Sequence, residues 1–279
     1  MSITIHQALH GYSEGHRQLA CSVGSLNPRD ARLLLVMSDV AGPGVASAGL
    51  PYLTGYPLAD SGLYALSMTW PAPEMPRPGC VWTHTLLISF ADLAVMEVPS
   101  ALASLFARPT NLRLDAYNDG VTVDFSSPFR DELDVDGARC IALFASALYG
   151  HPNEQIWARR PSGVDVDDVV LRIWDQQWPR LRRSFKFCTL TSRDRSQDSL
   201  RFDLQLTLGG GSSSQLRFAS NHEGFEAKEV QDEIWVLDLV QDAVQPSRSS
   251  FPDGHFKFPH LWPPQIPPGK TVRIMTVQG

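Results

Sequence analysis

The amino-acid sequence predicts an α+β fold: a mixed, mostly antiparallel sheet with flanking helices and a proline-rich C-terminal extension. Three observations carry that reading. The first two dozen residues alternate as a hairpin, segments of strand period and helix period intermingle thereafter, and seven prolines crowd residues 246–279. Residues 1–245 read as the core, with a division into lobes 1–110 and 111–245 left open. Residues 246–279 read as a tail that ends in a further strand, Thr271 to Val277.

The 279 residues suffice to bury a sizeable core. Hydrophobic residues make up 43% and charged residues 19%, a balance that excludes intrinsic disorder. A net charge of −6 argues against a surface that coats nucleic acid throughout. Cys21, Cys80, Cys140 and Cys188 are too far apart in sequence to form a zinc knuckle or a redox pair. No leader-like apolar stretch opens the chain, and no run approaches the ~18 apolar residues of a membrane span. The expectation is a cytoplasmic, reduced protein without membrane contact, metal or cofactor.

The elements follow in order. Residues 3–23 form a hairpin if Ser13, Glu14 and Gly15 make its loop, with Gly15 in the left-handed position. Tyr12 then faces His16, His10 faces Gln18 and His6 faces Ser22. Ile3, Ile5, Leu9, Leu19, Cys21 and Val23 collect on the opposite face, a separation that a one-residue slip would scramble. Asn27-Pro28 reads as a helix N-cap and first turn, and the helix runs to the Gly42-Pro43-Gly44 breaker. A Gly- and Pro-rich loop continues to about Asp60. Strands are expected over Gly62 to Trp70 and Cys80 to Phe90, the latter central, separated by a rigid proline-rich connection. Short helices are expected over Asp92 to Met96 and Ser100 to Ala107, and a strand over Val121 to Phe125. Longer helices cover Gly137 to Tyr149 and Asp165 to Trp178. Three strands, Phe185 to Leu190, Leu200 to Leu208 and Gln215 to Ala219, precede a last helix, Glu229 to Val244. The final two of these strands are joined by GGGSSS, read as a flexible turn.

Three motif matches fail on context. Gly11-Tyr12-Ser13-Glu14-Gly15 fits the nucleophile-elbow pattern, but a strand rather than a helix follows it. Pro268-Gly269-Lys270-Thr271 ends like a phosphate-binding loop, yet it too precedes a strand. Gly42-Pro43-Gly44 follows a helix where a dinucleotide fingerprint must follow a strand.

The histidines are the more informative set. His10 and His16 are diagonal neighbours across the hairpin, Glu14 sits on the loop beside them, and His84 lies on the expected central strand. If these meet, they offer acid–base or metal chemistry, ligand recognition, or a buried polar network that holds loop backbone. Between Arg180 and Arg201, Arg180, Arg182, Arg183, Lys186, Arg193 and Arg195 form a basic stripe suited to nucleic acid or an acidic partner. In the tail, Phe251, Phe256, Phe258, Leu261 and Trp262 are candidate partner anchors.

The constellation HGYSEGH, then WTHTLLI, then SFKFCTLTSRDR and FDLQL resembles the N-terminal domain (type 1) of the GTPase-associated proteins of bacterial conflict, or anti-phage, systems. His10, Gly11, Tyr12, Gly15 and His16 match the first motif, and Trp82 and His84 the second. The resemblance extends from about Ile3 to Leu206. It implies an α+β module that works with other proteins of a defence system, among them a GTPase or other NTPase, and it brings no established chemistry. The functional expectation is therefore a non-catalytic adaptor, sensor or scaffold subunit. The alternative is a hydrolase or nuclease using His10, His16 and His84, with Glu14 beside them.

Overall fold

A computed structural model describes residues 2–110, 114–124, 133–197, 200–208, 216–218, 224–225 and 234–244. The tail with its aromatic anchors, the Thr271 to Val277 strand and the GGGSSS turn lie outside the described residues. The described strands build one mixed, mostly antiparallel sheet, as expected. In chain order these are β1 (Ser2–Tyr12), β2 (His16–Cys21), β3 (Tyr52–Leu58), β4 (Leu63–Pro71), β5 (Val81–Ser89), β6 (Val121–Asp124), β7 (Ile156–Arg159), β8 (Phe187–Thr191), β9 (Leu204–Thr207), β10 (Leu216–Phe218) and β11 (Gly224–Phe225). Across the sheet the order is β11-β10-β7-β9-β8-β3-β4-β5-β1-β2, with β6 on the first residues of β1. The pairing of β3 with β8 and of β1 with β6 carries the sheet across residue 110 without a break.

Helices cover both faces: α1 (Pro28–Ser38), α2 (Phe90–Val95), α3 (Val135–Gly150), α4 (Val166–Gln176), α5 (Pro179–Arg182) and α6 (Ile234–Val244). Their starts are chemically marked. Asn27, Ser89, Asp134 and Asp165 each accept a backbone N–H of the first turn through the side chain. No helix among the described residues is long and apolar enough to cross a membrane.

The larger core packs Leu53, Tyr64, Leu66, Leu86, Ile88, Phe187 and Leu204 of the sheet against Ile141, Phe144, Val169, Ile173 and Trp174 of α3 and α4. Tyr64 stacks on Trp174 at 5.0 Å, and its hydroxyl donates to the Phe185 carbonyl at 2.7 Å. On the opposite face Ala8, Tyr52, Tyr56, Ala65, Leu87 and Cys188 meet Leu34 and Met37 of α1. β5 is buried on both faces along nearly its whole length, which is why its sequence lacks alternation.

Two expectations change. The hairpin keeps Tyr12 opposite His16 and His10 opposite Gln18, but Leu9 then pairs with Ala20. Leu19 is the additional residue of a bulge, so the Ser22 N–H donates to the Gln7 carbonyl at 2.9 Å, while its hydroxyl still meets His6 Nδ1 at 3.2 Å. Glu14 as well as Gly15 adopts positive φ, 57° and 133°. The loop assigned up to Asp60 contains β3, a strand in the middle of the sheet. Its Gly55 and Pro57 disguise it: a Cβ at Gly55 would lie 2.4 Å from the Phe187 ring and 2.5 Å from the Tyr64 hydroxyl. Pro57 sits beyond the residues that pair with β8, where no neighbour needs its N–H. Between β9 and β10 lies β7, parallel to β9 and antiparallel to β10.

Gly55→Ala is expected to destabilise the protein by about 1–3 kcal/mol through overpacking, read from urea unfolding. Phe187→Leu in the same chain should recover part of that loss, because it removes the ring that the new methyl meets.

Candidate functional site

The motif residues converge on the hairpin and β5, but the sheet divides them. His84 pairs across the ladder with Leu9, and so points to the face opposite His10. There its Nε2–H donates to Gln7 Oε1 at 2.9 Å, and its Nδ1 accepts the Ala107 N–H at 3.2 Å. Gln7 in turn donates to the carbonyls of Ala116 and Asp119, both at 2.7 Å. The edges of Phe106 and Tyr117 close over the imidazole. Trp82 shares this face, donating to Glu74 at 2.8 Å. Its ring occupies the space above Gly11, where a Cβ would come within 2.5 Å. That close approach explains the glycine in the first motif.

On the other face His10 stacks on His16, centroids 6.1 Å apart and planes at 20°. His16 Nε2 lies 2.8 Å from Ser38 Oγ, which donates its own proton to the Leu35 carbonyl. The imidazole is therefore the donor of that pair. Its Nδ1 faces Asp39 at 3.9 Å. Thus His10 and His16 meet as expected, while His84 does not join them. Glu14 stays outside, 3.7 Å from Arg17 on the exposed loop.

Burial holds these rings neutral. It drives His10 down to about 3, assisted by His16, and His84 down to about 4. His16 is also lowered by burial, with Asp39 pulling the other way. Among the described residues no three His, Cys, Asp or Glu side chains stand close enough to hold a metal ion.

A cleft of about 480 Å³ opens beside the His10–His16 stack. Its walls are the hairpin tip (Tyr12, His16), the loop after α1 (Asp39 to Ser47), the turn before β5 (Arg77 to Cys80) and Arg193. The loop after α1 is drawn in by Thr191, whose hydroxyl donates to the Ala41 carbonyl at 2.7 Å. Gly42, at φ 122°, lets Ser192 and Arg193 approach. Burial raises the Cys80 thiol, against the lowering influence of Arg77, so it lines the cleft protonated. Asp39, Arg77 and the Gly42–Gly44 loop escaped the sequence reading. The only signal was the glycine-rich breaker, which resembled nothing but a failed dinucleotide fingerprint.

The basic stripe requires correction. Arg182 is buried and donates to the carbonyls of Met96 and Asp175 at 2.6 and 2.8 Å. Arg195 is buried against the end of α1, donating to the carbonyls of Met37 and Asp39 at 2.9 and 3.2 Å. Lys186 pairs with Asp203 at 3.2 Å. Arg180, Arg183 and Arg193 remain exposed, but on separate surfaces: Arg183 lies over Phe90, and Arg193 lines the cleft. Two of the six cations satisfy buried carbonyls, so no continuous stripe exists.

The sheet and its flanking helices define an α+β domain, with the histidine motifs gathered at its N-terminal hairpin and β5. Residues 4–106 match the family described as GTPase-associated protein 1, N-terminal domain type 1. That span includes both histidine motifs and β1 to β5, whereas the SFKFCTLTSRDR segment lies beyond it. No curated protein and no solved structure matches the chain.

The folded-state values of His10 and His84 lie below the unfolded value of 6.5. Between those limits the unfolded chain binds more protons, so stability present above pH 6.5 is lost as pH falls toward 4. Thermal melts should show that decline. His84→Ala should remove part of the slope and cost about 1–3 kcal/mol, because it leaves Gln7 Oε1 and the Ala107 N–H without a partner.

Proposed function

We propose that this chain is a non-catalytic subunit of a multi-protein bacterial anti-phage defence complex, where it acts as adaptor, sensor or scaffold alongside a GTPase. The family description links this type of domain to GTPases. The observation that supports a binding role is the face formed where α5 packs on α2. Val95, Trp178 and Leu181 are 57%, 53% and 48% exposed there. Arg180 sits on the same short helix, and Arg183 is held over Phe90 at 5.8 Å. Tryptophan and arginine dominate the energetics of protein interfaces. This pairing suits a partner surface with apolar area at its centre and carboxylates at its rim. A hydrolase built on His10, His16 and His84 would need all three at one place, and they occupy opposite faces of the sheet.

The purified full chain should bind the GTPase encoded in the same defence system. Trp178→Ala combined with Leu181→Ala should weaken that complex at least about tenfold without shifting the thermal melt. Turnover of GTP, RNA or DNA by the chain alone, abolished in His16→Ala, would overturn the proposal.

A further inference from the structure

The cleft at the hairpin tip has an electrostatic character that the overall charge of −6 conceals. Arg77 and Arg193 both line it, both are exposed, and neither guanidinium has an ion-pair or hydrogen-bond partner among the described residues. The carboxylate next in sequence to Arg193 is engaged elsewhere: Asp194 accepts from the Ser196 N–H and from Gln205 at 2.9 and 2.8 Å. Asp39 is the one carboxylate in the lining. It accepts the Val40 N–H at 2.7 Å and faces His16.

The end of α1 behind the cleft would ordinarily present a ring of negative carbonyls. Arg195 covers that ring, donating to the carbonyls of Met37 and Asp39. With that ring covered, the two free guanidiniums outweigh a single engaged carboxylate. Each guanidinium presents paired N–H donors that match the oxygens of a phosphoryl group bidentately, and two cations suit its double negative charge better than a single carboxylate. Tyr12 and the half-buried His16 add ring surface to the same wall. The volume of about 480 Å³ falls in the range of small-ligand pockets, roughly 300–1,000 Å³, and is too small for a polymer groove.

We propose that this cleft binds a phosphorylated small molecule of mononucleotide size, with the phosphoryl group held by Arg77 and Arg193 and the base set against Tyr12 and His16. The proposal does not depend on the adaptor reading, since the cleft and the Trp178 face share no residue. The neutral His16 contributes a ring and a fixed orientation, through Ser38, rather than charge.

Isothermal titration of the full chain with GMP, AMP, guanosine, inorganic phosphate and a short single-stranded RNA tests it. At least one mononucleotide should bind, with guanosine and inorganic phosphate each weaker by about tenfold or more, the share expected for charge-assisted hydrogen bonds and for the ring wall. Arg77→Ala and Arg193→Ala should each weaken that mononucleotide at least about tenfold. Arg17→Ala, on the exposed outer strand, should leave it unchanged. Both arginines are exposed, so thermal melts of the two variants should match the parent chain. Absence of nucleotide binding at millimolar concentration overturns the proposal, as does affinity indifferent to Arg77 and Arg193. Inorganic phosphate binding as tightly as the nucleotides, or RNA binding more tightly than either, also overturns it, in favour of a bare anion site or a nucleic-acid surface.

Discussion

The guanidinium of Arg195, buried without a carboxylate partner among the described residues, holds together the half of the fold that carries the cleft. Burying a lone cation costs several kcal/mol. Here the cost is offset by carbonyls that themselves lack partners, because the last residues of α1 have no further helical N–H to meet. Nη2 donates to Met37 and Asp39, and the Arg195 N–H reaches Gln205 on β9 at 2.9 Å. One residue thus links α1, the loop after β8 and the sheet. It also fixes the positions of Ser38 and Asp39, the two residues that orient His16. The neighbouring polar layer extends the same logic across the sheet: Thr83 donates to the Ser38 carbonyl at 2.6 Å and meets Thr69 at 2.9 Å, and Ser67 meets Thr85 at 2.8 Å.

That arrangement explains which parts of the fold were legible in the sequence. The hairpin tip was legible because its alternation is local: Tyr12 opposite His16 follows from a three-residue loop and a period of two. The bulge at Leu19 was not, since a bulge preserves local alternation on either side and declares itself only through pairing. β5 was recognisable as central from its continuous apolar character, but the register of β1 on β5 was not encoded locally. That register, with Leu9 opposite His84, decides whether His84 joins His10 or turns away. β3 was hidden by Gly55 and Pro57, which are poor strand formers anywhere except at the close approach of Phe187 and beyond the end of β8.

The arginines carry a second lesson about charge and burial. Spacing along the chain cannot separate Arg193 from Arg195, yet one faces the cleft and the other is sealed beneath α1. The distinction lies in tertiary demand: Arg195 meets a helix terminus, and Arg182 meets the carbonyls of Met96, just after α2, and of Asp175, in the last turn of α4. A basic cluster on an acidic protein is therefore first a supply of donors for orphaned carbonyls. Only the cations left over after that demand is met can define a ligand or partner surface.

The two histidine networks can then be understood as one device seen from opposite sides. On one face His84 and Gln7 fasten the segments around Ala107 and Ala116–Asp119 to β1 and β5. On the other, His16 and Ser38 fasten the hairpin tip to the end of α1, with His10 stacked beneath. Trp82, lying against Gly11, locks the strand between them. A hairpin pinned on both faces loses little further freedom when something docks against its tip, so less binding energy is consumed in ordering it. The hairpin wall of the cleft is accordingly set in advance by the half-buried ring of His16, with the buried ring of His10 stacked behind it. The groups free to recognise a ligand, Arg77 and Arg193, project from turns that these rings do not constrain.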